Sequence, residues 1–428
     1  MIETKEGREY FGDLHIHSRF SRACSKDLTI PNLEKWARIK GLDLLGTGDF
    51  THEVWLNELK NNLKEKNGIY YSDSGFKFIL TGEISLMYTQ GRGRKVHLVL
   101  LAPSFEVVDK INAYFDTKGR RDYDGRPIFK ISCEQFTKDM KEISERIEII
   151  PAHIWTPFFG VLGSKSGFDS LAEAFGSQKD RIYAVETGIS STPEMNLKLK
   201  ELQGKTIVSF SDSHSFWPWR IGREATIFKN IGSYDEIIRE IRENDIVGTI
   251  EVNPAYGMYH YDGHRDCEFS CSPEETRKLN GICPKCGKIM TLGVEYRVEQ
   301  LADSKTIGVK KVYDILPLHE LISAVIGSPL ASKKTWVIYD KLIEKFGNEL
   351  NVLICASEED LKSVADLKLV DLIMKNRRGE IGVRPGYDGT YGEMIYGEAV
   401  KKEKKYPDLS GVVIKKGSGK QVGLKLGV

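Results

Sequence analysis

The stretch Gly12-Asp-Leu-His-Ile-His17 constrains this chain more than any other. Asp13, His15 and His17 alternate through a segment that reads as a β-strand, and a side-chain period of two turns all three to one face. Two neutral imidazoles on one face bind a transition metal through ring nitrogens. A carboxylate two residues earlier can orient such a ligand from behind. A histidine pair on a solvated edge strand is the plainer alternative.

What sits after the other apolar runs decides between them. Leu42-Asp-Leu-Leu-Gly-Thr-Gly-Asp49 reads as a short buried strand ending in a polar turn, with His52 three residues on. Further strands are expected over residues 76–81, 96–102, 147–151, 183–186 and 206–210. Residues 28–41 give an amphipathic helix through Leu33, Trp36, Ala37 and Ile39, ended by Gly41. The alternation predicts an α/β fold of parallel strands with crossover helices. Glu83, His97, His153, Glu186, Asp212 and His214 lie in or just after these strands, and a parallel barrel gathers its strand ends at one mouth. Each residue alone has a plainer reading. His97 fits a core histidine, His153 a loop cap, Asp212-Ser-His214 a turn, and Glu83 an acid in a first helical turn. A shared metal centre explains them together.

A chain of 428 residues suggests two or three domains. The net charge of +1 does not announce a nucleic-acid binder, so charge must be sought locally. No run of about 18 apolar residues exists, and the start is no signal peptide, so a soluble cytoplasmic protein without a membrane partner is expected. Four of the seven cysteines crowd into residues 267–286. Cys267-x3-Cys271 followed by Cys283-Pro-Lys-Cys286 predicts one closed, structural zinc site of four thiolates. A cluster of reduced thiols is one alternative, and His264 in place of Cys267 another. Residues 310–376 read helical. From Arg377 the chain turns rich in Gly, Arg and Tyr, and the last thirty residues carry eight lysines against two acids. Such a tail adds non-specific phosphate attraction. A second basic patch is Lys118-Gly-Arg-Arg-Asp-Tyr-Asp-Gly-Arg126. The expected divisions are a barrel over 1–254, a zinc-binding domain over 255–300, a helical domain over 301–376 and a Gly/Tyr/basic tail over 377–428.

Asp13-Leu-His15-Ile-His17, Asp49, Glu83, His97, His153 and Asp212-Ser-His214 together resemble the polymerase-and-histidinol-phosphatase (PHP) superfamily over about residues 8–250. The resemblance implies a distorted PHP-type (β/α)7 barrel with two or three divalent metals (Zn, Mn, Mg or Fe). Paired metals about 3.5–4 Å apart can hold a bridging hydroxide that attacks phosphorus. By the same resemblance Glu83 is the bridging carboxylate. His15, His17 and Asp212 complete one metal, His97 and His153 serve a second, and Asp49 and His214 serve a third or finish the cluster. Catalytic roles fall to Glu83, Asp212 and His214. The family pairs Asp and His directly in its second motif, whereas this chain has Asp49-Phe-Thr-His52, so His52 ranks below the other ligands.

The order of barrel, four-cysteine segment and helical region carries a closer resemblance, to the endonuclease Q family of DNA-repair nucleases. So do Gly46-Thr-Gly-Asp-Phe-Thr-His52, Pro151-Ala-His-Ile-Trp-Thr-Pro157, Glu186-Thr-Gly-Ile-Ser-Ser191 and Ser272-Pro-Glu-Glu-Thr-Arg277. It implies hydrolysis of the phosphodiester 5′ to deoxyuridine, deoxyinosine, deoxyxanthosine or an abasic site. Its partners are damaged DNA and a sliding clamp, although Gln421-Val-Gly-Leu-Lys-Leu-Gly lacks the paired aromatics of a clamp-binding peptide. Lesion reading requires the nucleotide to leave the stack. Trp155, Phe158, Phe159, Glu186, Trp217, Trp219 and Arg220 are the expected substrate-binding residues, with Glu186 open also to orienting a ligand from behind, and Arg223 is a further phosphate contact. Two competing functions are a histidinol-phosphatase-like small-molecule phosphatase and a non-catalytic DNA-binding accessory module.

Overall fold

The computed structural model describes residues 2–4 and 7–397. The helix Ile30–Lys40 shows how local sequence sets its elements. Thr29 precedes it in extended backbone, Pro31 occupies its first turn, and Ile30, Leu33 and Ala37 bury one face. Gly41 ends it in the left-handed region at φ 104°, returning its N–H to Ala37. A side chain there would meet Asn348 Oδ1 at 2.7 Å, so glycine serves both the turn and the close approach.

The strand Gly7–Asp13 pairs in parallel with Leu44–Gly46 (Gly12 opposite Leu44), and that strand pairs in parallel with Lys77–Gln90 (Leu45 opposite Phe78). The chain then departs from the expected parallel rhythm. Lys77–Gln90 doubles back through Gly91, at φ 69°, into Arg92–Ala102. A one-residue connection can only reverse direction, and Ser85 stands opposite His97 in an antiparallel ladder. Arg92–Ala102 pairs antiparallel with Glu148–Pro151. Ile154 N–H donates to Glu186 O and joins the parallel pair Ala184–Glu186 and Thr206–Val208. Ser209 N–H donates to Thr226 Oγ1 (3.0 Å), linking that pair to Ala225–Phe228. Ala225–Phe228 closes the ring by pairing antiparallel with Gly7–Asp13. The result is a distorted barrel.

Leu14, Leu44, Ile79, Val99, Ile150, Ala184, Val208 and Phe228 form one buried cluster with Ile237 and Ile241 of the helix Tyr234–Arg242. Tyr234 reinforces that contact, its hydroxyl lying within hydrogen-bond reach of Leu101 O (2.9 Å) and Arg146 O (2.8 Å). This apolar cluster packs the barrel strands against that helix.

Gly248–Glu251 extends the sheet, and Lys311–Asp314 pairs with it in parallel. Residues 311–314 are thus a strand where a helix was expected, because the open edge of Gly248–Glu251 supplies partners for its backbone. The helices Leu318–Ile326, Lys333–Phe346, Glu358–Lys362 and Leu367–Arg377 follow. Between barrel and helices, the hairpin Asp262–His264 with Phe269–Cys271 precedes the capped helix Pro273–Lys278 and the helix Val294–Leu301. Arg297 is buried and donates to Leu162 O and Phe168 O of the barrel loops. Glycines of the Gly/Tyr-rich stretch lie against the chain at 255–257, with Gly386 N–H on Ala255 O (2.8 Å) and Gly392 N–H on Tyr256 O (3.1 Å). The described residues up to Tyr396 form one compact unit. No helix among them is long and apolar enough to cross a membrane. The lysine-rich tail from residue 398 and the segment at Gln421 lie outside the described residues.

Candidate active site

Six expected ligands meet at the polar mouth. Ligand atoms of His15, His17, Glu83 and Asp212 lie within 4.8 Å of one another, as do those of Glu83, His97 and His153. Glu83, fully buried on the long hairpin, belongs to both groups. Its Oε1 is 2.7 Å from His97 Nδ1 and 3.4 Å from His153 Nε2. Its Oε2 is 3.3 Å from His17 Nε2 and 3.6 Å from His15 Nε2. Asp212 Oδ1 stands 3.0 Å from His17 Nε2 and 3.5 Å from His15 Nε2.

Two carboxylates hold the histidines from behind. Asp49 Oδ1 takes His17 Nδ1 at 3.0 Å, while its other oxygen accepts from Ser18 N–H and Ser21 Oγ. Glu186 takes His15 Nδ1 at 2.9 Å and accepts the His153 N–H at 2.8 Å. Each leaves Nε2 aimed at the cluster, a pairing that fixes the tautomer and raises ligand basicity. Asp49 differs from expectation: it lies outside the two converging groups, its carboxylate holding His17 and the turn at Ser18. Glu186 is fully buried behind His15, in the ligand-orienting one of the two roles open to it.

Other residues also differ from expectation. The strand ends at Asp13, whose carboxylate turns to Ser211 N–H, Ser211 Oγ and Gly222 N–H, so it secures the Asp212 segment rather than a histidine. His52 precedes the helix Glu53–Asn62 without a capping hydrogen bond from its side chain and stacks on Phe20 at 4.2 Å, outside both groups. His214 is tilted over His17 at 4.2 Å, at the edge of the cluster. Trp155 is core, with Nε1–H donating to Asn196. Trp217 and Trp219 stack on each other and join Trp36, His319 and Trp336 in an aromatic box reaching the helical region. Arg223 donates to Ser211 O. Phe158 remains exposed, with Tyr259 edge-on at 6.2 Å. Phe159 lies on His97 at 4.2 Å, and Arg220 lies over the Tyr391 ring. Reading by strand ends missed Arg126, whose Nη1 is 2.9 Å from Glu83 Oε2. Its only trace in the sequence was the basic patch it ends.

The electrostatics suit a cation. Burial is the largest single influence and opposes charge on His15 and His17, yet the surrounding carboxylates, led by Glu186 at His15 and Asp49 at His17 and joined by Asp212 and Glu83, together push both imidazoles well above their usual value. Burial likewise opposes charge on Glu83 and Asp212, but His97 and the Arg126 guanidinium at Glu83, and His15 and His17 at Asp212, hold both carboxylates well below the ordinary range. Burial pushes His97 down to about 4. His15 Nε2 and Glu83 Oε1 are buried without a hydrogen bond: His97 Nδ1 is close to Glu83 Oε1, but at an angle that makes none. Atoms aimed at a shared point rather than at each other fit a divalent metal, and His/carboxylate donors suit Zn, Mn or Fe.

The second group is His264, Cys267, Cys283 and Cys286, with Cys286 Sγ 3.4 Å from His264 Nδ1. The expected four-thiolate site is corrected here. Cys271 stands opposite Asp262 in the hairpin, two residues from His264, about 7 Å along the strand. Its thiol meets the Thr276 hydroxyl at 3.2 Å.

The MJ0043 C-terminal domain family matches residues 317–380. The MJ0043 protein of Methanocaldococcus jannaschii is 32% identical over 251 residues, 56% of this chain and 31% of that protein. YqxK of Bacillus subtilis is 26% identical over 407 residues, 90% of this chain and 99% of that one. Among solved structures, the lesion-specific endonuclease PfuEndoQ from Pyrococcus furiosus superposes with a TM-score of 0.82 at 31% identity, over 93% of this chain and 98% of that one. An endonuclease Q complex with a 27-mer duplex carrying an abasic lesion at the active site gives 0.83 at 30%, over 93% and 99%. Barrel, mouth and added segments are those of a hydrolase built on a PHP-type barrel. With such identity over nearly the whole length of PfuEndoQ, the chain belongs to the endonuclease Q family.

Proposed function

We propose that this chain is a metal-dependent DNA-repair endonuclease, acting inside the cell, that cuts the phosphodiester 5′ to a deaminated base or an abasic site. One observation carries the reading. A single buried carboxylate, Glu83, is shared by two ligand groups at the barrel mouth of a chain resembling lesion-specific endonucleases end to end. His15, His17, Asp212 and Glu83 would hold one divalent cation, and His97, His153 and Glu83 a second. His264, Cys267, Cys283 and Cys286 would hold a structural zinc. Such cations, when bound, would supply positive charge for the oxygens of a phosphate ester.

The chain's own residues do the rest. Asp49 and Glu186 keep His17 and His15 with Nε2 facing inward. Asp13 fixes the segment that presents Asp212 by holding Ser211 and Gly222. Phe158, Phe159, which lies on His97, and Arg220 are the residues assigned to an extruded nucleotide and its flanking phosphate. An abasic or mispaired deaminated nucleotide leaves the stack at lower cost than a sound one, which favours damaged sites.

The test is cleavage of labelled duplexes carrying deoxyuridine, deoxyinosine, an abasic site or no lesion, with Mg²⁺, Mn²⁺ or Zn²⁺, beside Asp212→Ala. A nick 5′ to the lesion is expected, absent from the intact duplex and from the variant. Turnover of phosphomonoesters with no nick under any metal would replace this reading with the phosphatase one.

A further inference from the structure

We propose that Arg126 is a catalytic residue, whose guanidinium holds the non-bridging oxygens of the phosphate under attack. That the phosphate belongs to DNA rests on the reading above. Arg126 ends the basic stretch Lys118–Arg126, which the assigned roles leave unused. The stretch is fixed at the mouth by Thr51 and Phe20. Thr51 Oγ1 donates to Gly125 O (3.0 Å), Gly125 N–H donates to Phe20 O (3.2 Å), and Arg121 Nη1 donates to Thr51 O (2.6 Å). Gly125 has no room for a side chain, since a Cβ would lie 2.3 Å from Asp49 Oδ2 and 2.4 Å from Ser21 Oγ. Glycine thus lets the backbone lie directly on the carboxylate that orients His17.

From this anchor the Arg126 side chain enters the cluster from the solvent side, 26% exposed, and reaches Glu83 Oε2. Among the described residues no other Lys or Arg pairs with Glu83 or Asp212. His15 and His17 face the same oxygen, and Asp212 belongs to their ligand group, so a divalent cation in that group and the guanidinium contend for Oε2. A guanidinium does not give up its proton in proteins, so the contest is settled by movement. Buried imidazoles close the inward direction, and the open direction is the mouth, where a phosphate must approach. There the planar fork of Arg126 matches two phosphate oxygens.

The experiment compares wild type, R126A and R126K as full chains. Mn²⁺ is titrated into chelator-treated protein, inorganic phosphate into the Mn²⁺-loaded protein, and nicking of an abasic duplex is followed at saturating Mn²⁺. R126A is expected to bind Mn²⁺ at least as tightly as wild type, because a competing cation is gone. Its phosphate affinity should fall about tenfold, as for loss of a bidentate charged contact. Its nicking should fall about a hundredfold, the scale for losing one aligned donor, with part recovered in R126K. A strut that merely supports Glu83 behaves oppositely: Mn²⁺ binds more weakly to R126A, and nicking returns once metal saturates. Either that pattern or unchanged phosphate affinity overturns the proposal. A wild type that nicks no duplex sinks the endonuclease reading instead, while the phosphate titration still decides Arg126.

Discussion

Cys271 and His264 sit on paired strands of one small hairpin, and its register decides which of them faces the other thiols. His264 ends its strand beside Cys267, whereas Cys271 faces Thr276. Cys271→Ser should therefore retain one zinc per chain by elemental analysis, and His264→Ala should lose most of it. Zinc lost from the serine variant and kept in the alanine one would reverse the assignment. The C-x-x-C pair at Cys283 and Cys286 was legible because its spacing alone presents two thiolates. The choice among Cys267, Cys271 and His264 was not, since it depends on which backbone groups pair. The same division holds at the barrel mouth. Acids at strand ends were visible in sequence, but facing the cluster or the back of a histidine was not. Asp49 and Asp212 both adopt positive φ, 45° and 47°, yet one turns behind His17 and the other in front of it.

At the scale of elements, the helix Ile30–Lys40 is tied to the helical region by a buried ion pair. Lys40 Nζ donates to Glu349 Oε1 (2.7 Å) and to Pro218 O (2.9 Å). Glu349 also accepts from Tyr339 OH and Leu318 N–H. Pro218 follows the Asp212–His214 segment, so the pair joins the site's own loop to helices more than a hundred residues away. Lys40→Met strands a buried carboxylate and should lower unfolding free energy by about 3–5 kcal/mol, the usual cost of half a buried pair. Urea unfolding of Lys40→Met, Glu349→Gln and the double variant reads the coupling, and additive losses would show that the two groups do not interact. This link has no local signature in sequence. Periodicity exposed the helices Lys333–Phe346 and Leu367–Arg377, as it did the first barrel strands. It could not show that Lys77–Gln90 runs on past residue 81 and returns as its own antiparallel partner, because pairing across Gly91 is a tertiary choice. Nor could it show that Trp217 and Trp219 pack against Trp336 of the helical region.

Over the whole molecule, proton and metal compete for the same imidazoles, so stability and metal binding must be linked through pH. The carboxylates around His15 and His17 hold their protons above the ordinary imidazole value of 6.5, against the effect of burial. A group whose pKa is raised by folding stabilises fully below its unfolded pKa, and that contribution fades as pH rises through the folded value. Chelator-treated protein should therefore lose this share of stability as pH climbs above about 6.5. A divalent cation supplies the charge those protons gave, and binding it releases them. Its affinity should then strengthen as pH rises. The metal-induced gain in Tm at fixed Mn²⁺ should be larger at pH 8 than at pH 6, and Mn²⁺ binding at pH 7 should release protons, measurable as heats that differ between buffers of different ionisation enthalpy. A gain in Tm that is flat or shrinking with pH would mean that His15 and His17 are already neutral before the metal arrives. Glu186 and Asp49 would then set geometry alone, without raising the basicity of the ligands they hold.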